Sequence, residues 1–212
     1  MPDWTFNTIV CKKHIGDKIL IKDNDDYIFD FNKLIPMPTE LDIDVGTAGE
    51  EGLMYLYIKS KNDLEKDEIN DAYTSMHTSL HDIIWDSKFK EIEDNIDKYE
   101  NDESFKKYIS LGEKYLANYE KYGHCHWYDW CEANWGTKWN ACDVDVSYDE
   151  VSEEYEIFFC TARSVPEGIV EKYSELCKDD EFYWTYEDDG AEERHVLTKE
   201  NGEIIDTVIL IE

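Results

Sequence analysis

The spacing between apolar residues changes twice along this chain, and that change restricts the fold more than any other feature. Near the N-terminus the period is two: Trp4, Phe6, Thr8 and Val10 alternate with more polar neighbours, the pattern of a strand buried on that side. Lys18–Lys22 and Tyr27–Phe31 read as two further extended pieces, and Ile35-Pro36-Met37-Pro38 excludes a helix interior or a central strand. From 63 to 121 the period lengthens. Ile69, Tyr73, Met76, Leu80 and Ile83 follow helical spacing, then Phe89, Ile92, Ile96 and Tyr99, then Phe105, Tyr108, Ile109, Tyr115, Leu116 and Tyr119. Three amphipathic helices are expected, separated near Asp86 and Asn101 and closed by a C-cap at Gly123.

Beyond residue 140 the alternation returns. Val144, Val146 and Tyr148 face one way, and so do Tyr155, Ile157 and Phe159 on the next strand. A helix runs from Pro166 to about Cys177, and Phe182, Trp184 and Tyr186 mark another strand. Arg194–Thr198 and Ile204–Ile211 flank Asn201-Gly202, a strong hairpin signal. The expected fold is therefore one α+β domain over 1–212. It has a mainly antiparallel sheet, a helical insertion at about 63–121 and a C-terminal β-hairpin.

Charge narrows the function classes. Among 212 residues, 51 Asp and Glu face 21 Lys and Arg, a formal charge of -30, of which -18 falls after residue 122. Such a chain does not hold nucleic acid by neutralising phosphates, nor dock on anionic lipid. Only two of the basic residues are Arg, so bidentate phosphate recognition is weakened further. No apolar run reaches the roughly 18 residues of a membrane span, and the first residues do not read as a secretory signal. A soluble protein of the cytoplasm is expected, with its six cysteines reduced, since no pair has the C-x-x-C spacing.

Four of the seven tryptophans crowd into Trp127-Tyr128-Asp129-Trp130-Cys131-Glu132-Ala133-Asn134-Trp135-Gly136-Thr137-Lys138-Trp139. If the segment coils, Trp127 with Trp130, and Trp135 with Trp139, each share a helical face. Two readings compete: a buried aromatic staple, or an exposed set of anchors for a partner. Asn134-Trp135-Gly136-Thr137-Lys138-Trp139-Asn140, preceded by Trp127-Tyr128-Asp129-Trp130, resembles the signature of the YubB-type ferredoxin-like proteins of plasmids and phages. The opening Met1-Pro2-Asp3-Trp4 with Asn7, the element Phe31-Asn32-Lys33-Leu34-Ile35-Pro36-Met37-Pro38, and Thr161-Ala162-Arg163-Ser164 with Pro166 are similar to that family in the same order. Arg163 replaces an aromatic residue and Val165 a proline. The resemblance spans about residues 1–190 and implies a ferredoxin-like core and a mobile-element origin. It brings no activity, cofactor or catalytic residue.

His77 and His81 stand i, i+4 on an expected helix, but lack the glutamate of H-E-x-x-H. His124, Cys125, His126 and Cys131 offer four potential ligands in one turn, yet no C-x-x-C pair completes a finger. No metal or cofactor is expected at either place. Nucleophile elbows, Walker motifs and dinucleotide-binding glycines are missing from the sequence, so no catalytic residue is assigned and an enzyme is not expected.

The acids themselves are the better pointer. Asp143, Asp145, Glu154 and Glu156 alternate with apolar neighbours and are expected on the outward side of two strands. Asp179, Asp180, Glu181, Glu187, Asp188 and Asp189 bracket the next. Carboxylates repeated on a rigid sheet imitate a phosphate backbone, and -30 exceeds the magnitude of roughly 2 to 8 that solubility needs in a small domain. The expected function is inhibition of a host nucleic-acid-handling defence complex, a CRISPR effector or a restriction nuclease, whose basic channel the acids would occupy. The alternatives are an enzyme or ligand-binding protein with a site beside the tryptophans, and a structural or regulatory protein of the mobile element.

Overall fold

The computed structural model describes residues 3–24, 26–60, 82–178 and 180–211, with side chains for all of these but 82–86. Two compact units emerge, one made of residues 1–37 with 131–212 and the other of residues 38–130. The expected insertion at 63–121 thus lies inside a wider unit. The Ile69–Ile83 helix and His77 with His81 fall outside the residues whose side chains are described.

The first unit is built on a six-stranded antiparallel sheet. Its strands are β1 (Trp4–Lys12), β4 (Cys142–Asp149), β5 (Glu154–Ala162), β6 (Tyr183–Asp188), β7 (Glu193–Glu200) and β8 (Glu203–Leu210), in the spatial order β4-β5-β1-β6-β7-β8. Helix α1 (Lys13–Ile19) follows β1, and a small ladder of β2 (Leu20–Asp23) with β3 (Asp26–Phe29) follows α1. A further helix, Glu167–Leu176, links β5 to β6. The succession β1-α1-β4-β5 and then helix-β6, with β1 central between β5 and β6, is the ferredoxin-like arrangement extended by the β7–β8 hairpin. Asn201 and Gly202 both take positive φ, 53° and 88°, as a two-residue turn between twisted strands requires.

One piece differs from expectation near the N-terminus. Lys18 and Ile19 end α1 instead of starting a strand, because Ile15 and Ile19, one turn apart, are both buried. Gly16 in α1 lies so close under the ring of Tyr155 that a Cβ there would collide with it.

More consequential is which side of β1 is buried. Thr5, Asn7, Ile9 and Cys11 are buried, whereas Trp4, Phe6, Thr8 and Val10 form the half-exposed side. Expectation had placed these the other way round. The reversal is possible because Asn7 is fully served inside: its amide donates to Thr161 Oγ1 (3.0 Å) and to the Thr5 carbonyl (3.1 Å), and its Oδ1 accepts from Trp184 Nε1 (3.1 Å). A buried amide with such partners avoids the desolvation cost that makes polar residues outward-facing. Around it the core is aromatic and edge-to-face, running Trp135–Phe31–Phe159–Trp184–Tyr173 with centroid separations of 5.0 to 6.1 Å across the Phe29, Phe31, Phe159 and Trp184 contacts.

The second unit is helical: α2 (Thr47–Ser60), α3 (Asp82–Asp94), α4 (Ile96–Glu100) and α5 (Lys106–Tyr122), with α6 (Trp127–Asn134) running from it into the first unit. The helix after β5 is accordingly α7. Residue Asp86 lies within α3, so the break expected there falls instead at Asn95, while the break expected near Asn101 is present. Gly123 caps α5 with φ 71°, as read from the sequence. Helix α2 has no counterpart among the helices expected from the sequence. Its apolar run from Leu53 to Ile58 has no clear period, and its helical state rests on close packing: Gly52 and Gly112 let the backbones of α2 and α5 touch, and a Cβ on either would strike the other helix.

Candidate partner-binding face

Helices α1 and α7 both cover one side of the sheet, the side of Tyr155 and Trp184. Neither lies on the other side, which carries Trp4, Phe6, Thr8 and Val10 of β1. Register adds to it residues about 150 positions later. Thr8 pairs with Phe158 and Val10 with Glu156 on β5, while Asp145 pairs with Phe158 and Ser147 with Glu156 on β4. Directly paired residues project to the same face.

An aromatic row results. Phe6 stacks on Phe158 at 6.2 Å with rings 20° apart, and Trp4 meets Trp139 at 6.4 Å. Phe158 and Trp139 are each 37% exposed. Lys138 Nζ lies 4.5 Å from the Trp139 ring centroid, a cation–π contact. Beside the row lie the carboxylates. Asp145 and Glu156 are exposed and have no ion-pair partner among the described residues. Asp149 joins them on this face and accepts from the Val151 amide at 2.7 Å. Glu154 is 3.0 Å from Lys12 Nζ, whose hydrogen bond holds its carboxyl below the ordinary value. Near the strand ends Val10, Lys12, Glu154, Glu181 and Tyr183 line a groove of about 270 Å³.

The other acids singled out in the sequence are dispersed. Asp143 takes φ 49° at a bulge between Cys142 and Asp145, out of the regular alternation expected for it. It lies near the cross-strand thiols Cys142 and Cys160, both raised by burial first and by its charge second. Glu187 is engaged by Arg194 at 2.6 Å. Asp188 accepts from Thr5 Oγ1 at 2.6 Å, which places it on the helix-covered side of the sheet. Asp180 is held by His14 at 3.0 Å, Glu181 and Asp189 are exposed near the two ends of β6, and Asp179 lies outside the described residues. One compact group therefore forms from Asp145, Asp149, Glu154 and Glu156; Glu181 lines the groove with Glu154 and Glu187 shares the face beside Phe6, whereas Asp188 faces the covered side.

The tryptophan segment divides as well. Trp130 and Trp135 are buried, Trp127 is half-buried and Trp139 is exposed, so no common face unites the four. The helix ends at Asn134, and Trp135 Nε1 donates to the Ile35 carbonyl at 2.9 Å. Other residues of the recurring motifs meet in the same joint. Thr137 Oγ1 donates to the Ala162 carbonyl, Ser164 Oγ to the Gly136 carbonyl, and Asn140 reaches both the Phe31 amide and Asp30. A Cβ on Gly168 would strike the Asn134 carbonyl. These residues are scaffold.

At the turn before α6, His126 Nδ1 lies 2.7 Å and His124 Nδ1 3.5 Å from Asp129. Burial disfavours the Asp129 anion, but His126 and the Cys125 and His126 amides prevail and lower its pKa. These contacts tie down the N-terminus of α6. Among the described residues no three His, Cys, Asp or Glu side chains are placed to hold a metal ion. All six cysteines are free thiols, and burial is the main reason Cys11 is pushed up to about 12. Among the described residues no helix is long and apolar enough to cross a membrane.

No family model and no curated protein matches the chain. A solved structure, protein api92 from Yersinia pseudotuberculosis, described by the DUF1281 family model, aligns over 100% of this chain and 99% of its own. The TM-score is 0.40 and the identity 8%.

Proposed function

We propose that this chain is a cytoplasmic interaction protein of a phage or plasmid that inhibits a host nucleic-acid-handling defence complex, a CRISPR effector or a restriction nuclease. The observation that carries the reading is the sheet face opposite α1 and α7, where the exposed rings of Phe158 and Trp139 adjoin Asp145 and Glu156, which have no ion-pair partner among the described residues. Rings desolvate well against a partner, and flanking acids steer the face onto a basic channel. The sequence resemblance to YubB-type proteins supports the mobile-element origin.

The test is competition. Purified effector or nuclease is titrated with this protein while its binding to labelled nucleic acid is followed. Binding of the nucleic acid falls in proportion, and the inhibition weakens as salt rises beyond the Debye regime. Asp145→Lys with Glu156→Lys reduces inhibition at least tenfold, while Glu113→Lys with Glu120→Lys on α5 changes the net charge equally and has little effect. Equal loss from both pairs would mean that bulk charge acts and the face does not. No inhibition of either class of complex sinks the proposal.

A further inference from the structure

The free edge of β8 is the least protected surface of the sheet. Its ladder with β7 runs unbroken from Glu200↔Glu203 to Glu193↔Leu210, and no other strand among the described residues pairs with its far side. The strand Glu-Ile-Ile-Asp-Thr-Val-Ile-Leu contains no Pro, Gly or Lys and no bulge, the usual devices that keep an edge from pairing. Ile205, Val208, Ile209, Leu210 and Ile211 are exposed, Leu210 by 78%.

We infer that this edge pairs with β8 of a second copy, antiparallel about a two-fold axis at Thr207, joining two sheets into one. The register follows from hydrogen bonding. The Ile211 amide donates to the Glu192 carbonyl at 2.8 Å, so odd-numbered residues of β8 bond to β7. Even-numbered residues, Ile204, Asp206, Val208 and Leu210, turn their N–H and C=O groups outward. Self-pairing therefore joins even to even. With Thr207 on the axis, Ile204 faces Leu210 of the second copy, Ile205 faces Ile209, and Asp206 faces Val208. Glu203 faces Ile211, so no two carboxylates are opposed. Moving the axis to Asp206 sets that carboxylate against its own copy, which like-charge repulsion disfavours. Moving it to Val208 leaves a shorter overlap. Asp206, the one acid in mid-strand, is already held by His195 at 2.8 Å. The apolar content and acid spacing of β8 suit the strand itself as occupant, in an isologous interface.

The -30 charge of each copy opposes the pairing, so salt strengthens it. This sign is opposite to that expected for a basic partner on the acidic face, which keeps the two proposals separable. Sedimentation equilibrium of the full chain is expected to give twice the 25.1 kDa of one chain, with tighter association at about 0.5 M salt than at about 0.05 M. Val208→Pro removes one outward N–H and no bond to β7, and Thr207→Glu sets two carboxylates opposite each other at the axis. Each weakens dimerisation at least tenfold, and Thr207→Glu, at an exposed position, retains the thermal midpoint of a folded chain. Thr207→Cys sits opposite itself in a non-hydrogen-bonded pair and cross-links on oxidation, whereas Ile205→Cys does not. A monomer at both salt concentrations, a dimer that survives Thr207→Glu, or equal cross-linking at 205 and 207 would overturn the inference.

Discussion

The two sides of the six-stranded sheet carry side chains of similar size and are put to different use. On the covered side, Asn7, Thr161 and Trp184 satisfy one another among rings that leave no room, so position is fixed by both shape and hydrogen bonds. On the other, Phe6 and Phe158 stack in partial exposure with acids alongside, and little else in the unit depends on them. Burial thus separates residues of one chemical type into scaffold and contact surface. A phenylalanine one position along β5 passes from the first class to the second.

That contrast predicts an ordered series of effects on stability. Phe159→Ala is expected to cost roughly 3–5 kcal/mol, because its ring is fully buried and touches rings on several elements. Trp135→Ala belongs at the same end and additionally leaves the Ile35 carbonyl without its donor. Asn7→Ala is expected to cost about 1–3 kcal/mol by stranding the Trp184 N–H, while the Thr161 hydroxyl keeps its bond to the Ser164 carbonyl. Phe158→Ala and Trp139→Ala are expected to stay near or below about 1 kcal/mol, since both are already more than a third exposed. Urea denaturation of the set measures all of these on one scale. If Phe158→Ala proved as damaging as Phe159→Ala, the two sides would not differ and the exposed row would be core.

How much of this was legible depended on range. Local signals translated well: the outward phase of Glu154 and Glu156, the Asn201-Gly202 turn and the Gly123 cap each need only neighbours in sequence. The sidedness of β1 did not, because it turns on whether Asn7 finds partners at Thr161 and Trp184, separated from it by 154 and 177 positions. Phe158 carried a signal that alternation alone offered: it shares the phase of Glu154 and Glu156. Its apposition to Phe6 is a matter of register between distant strands. The tryptophans misled through proximity, since the helix stops at Asn134 and sends Trp135 and Trp139 to different surroundings. Helix α2 was hidden because Gly49 and Gly52 look like breakers until the close approach of α5 explains them.

The central place of β1 has a consequence for how this protein is made. The strand is translated well before both of its partners, whose pairings with it extend to Ala162 on one side and Asp188 on the other. At about 5–20 residues per second, β1 waits roughly 10–35 s before both flanks are complete. During that interval a strand with two open edges and an aromatic side is present in the nascent chain, while the α2–α5 segment, whose contacts are nearer in sequence, already has the residues it needs to pack. Packing therefore begins with the α2–α5 segment, and β1, translated before its partners, is among the last elements to be enclosed.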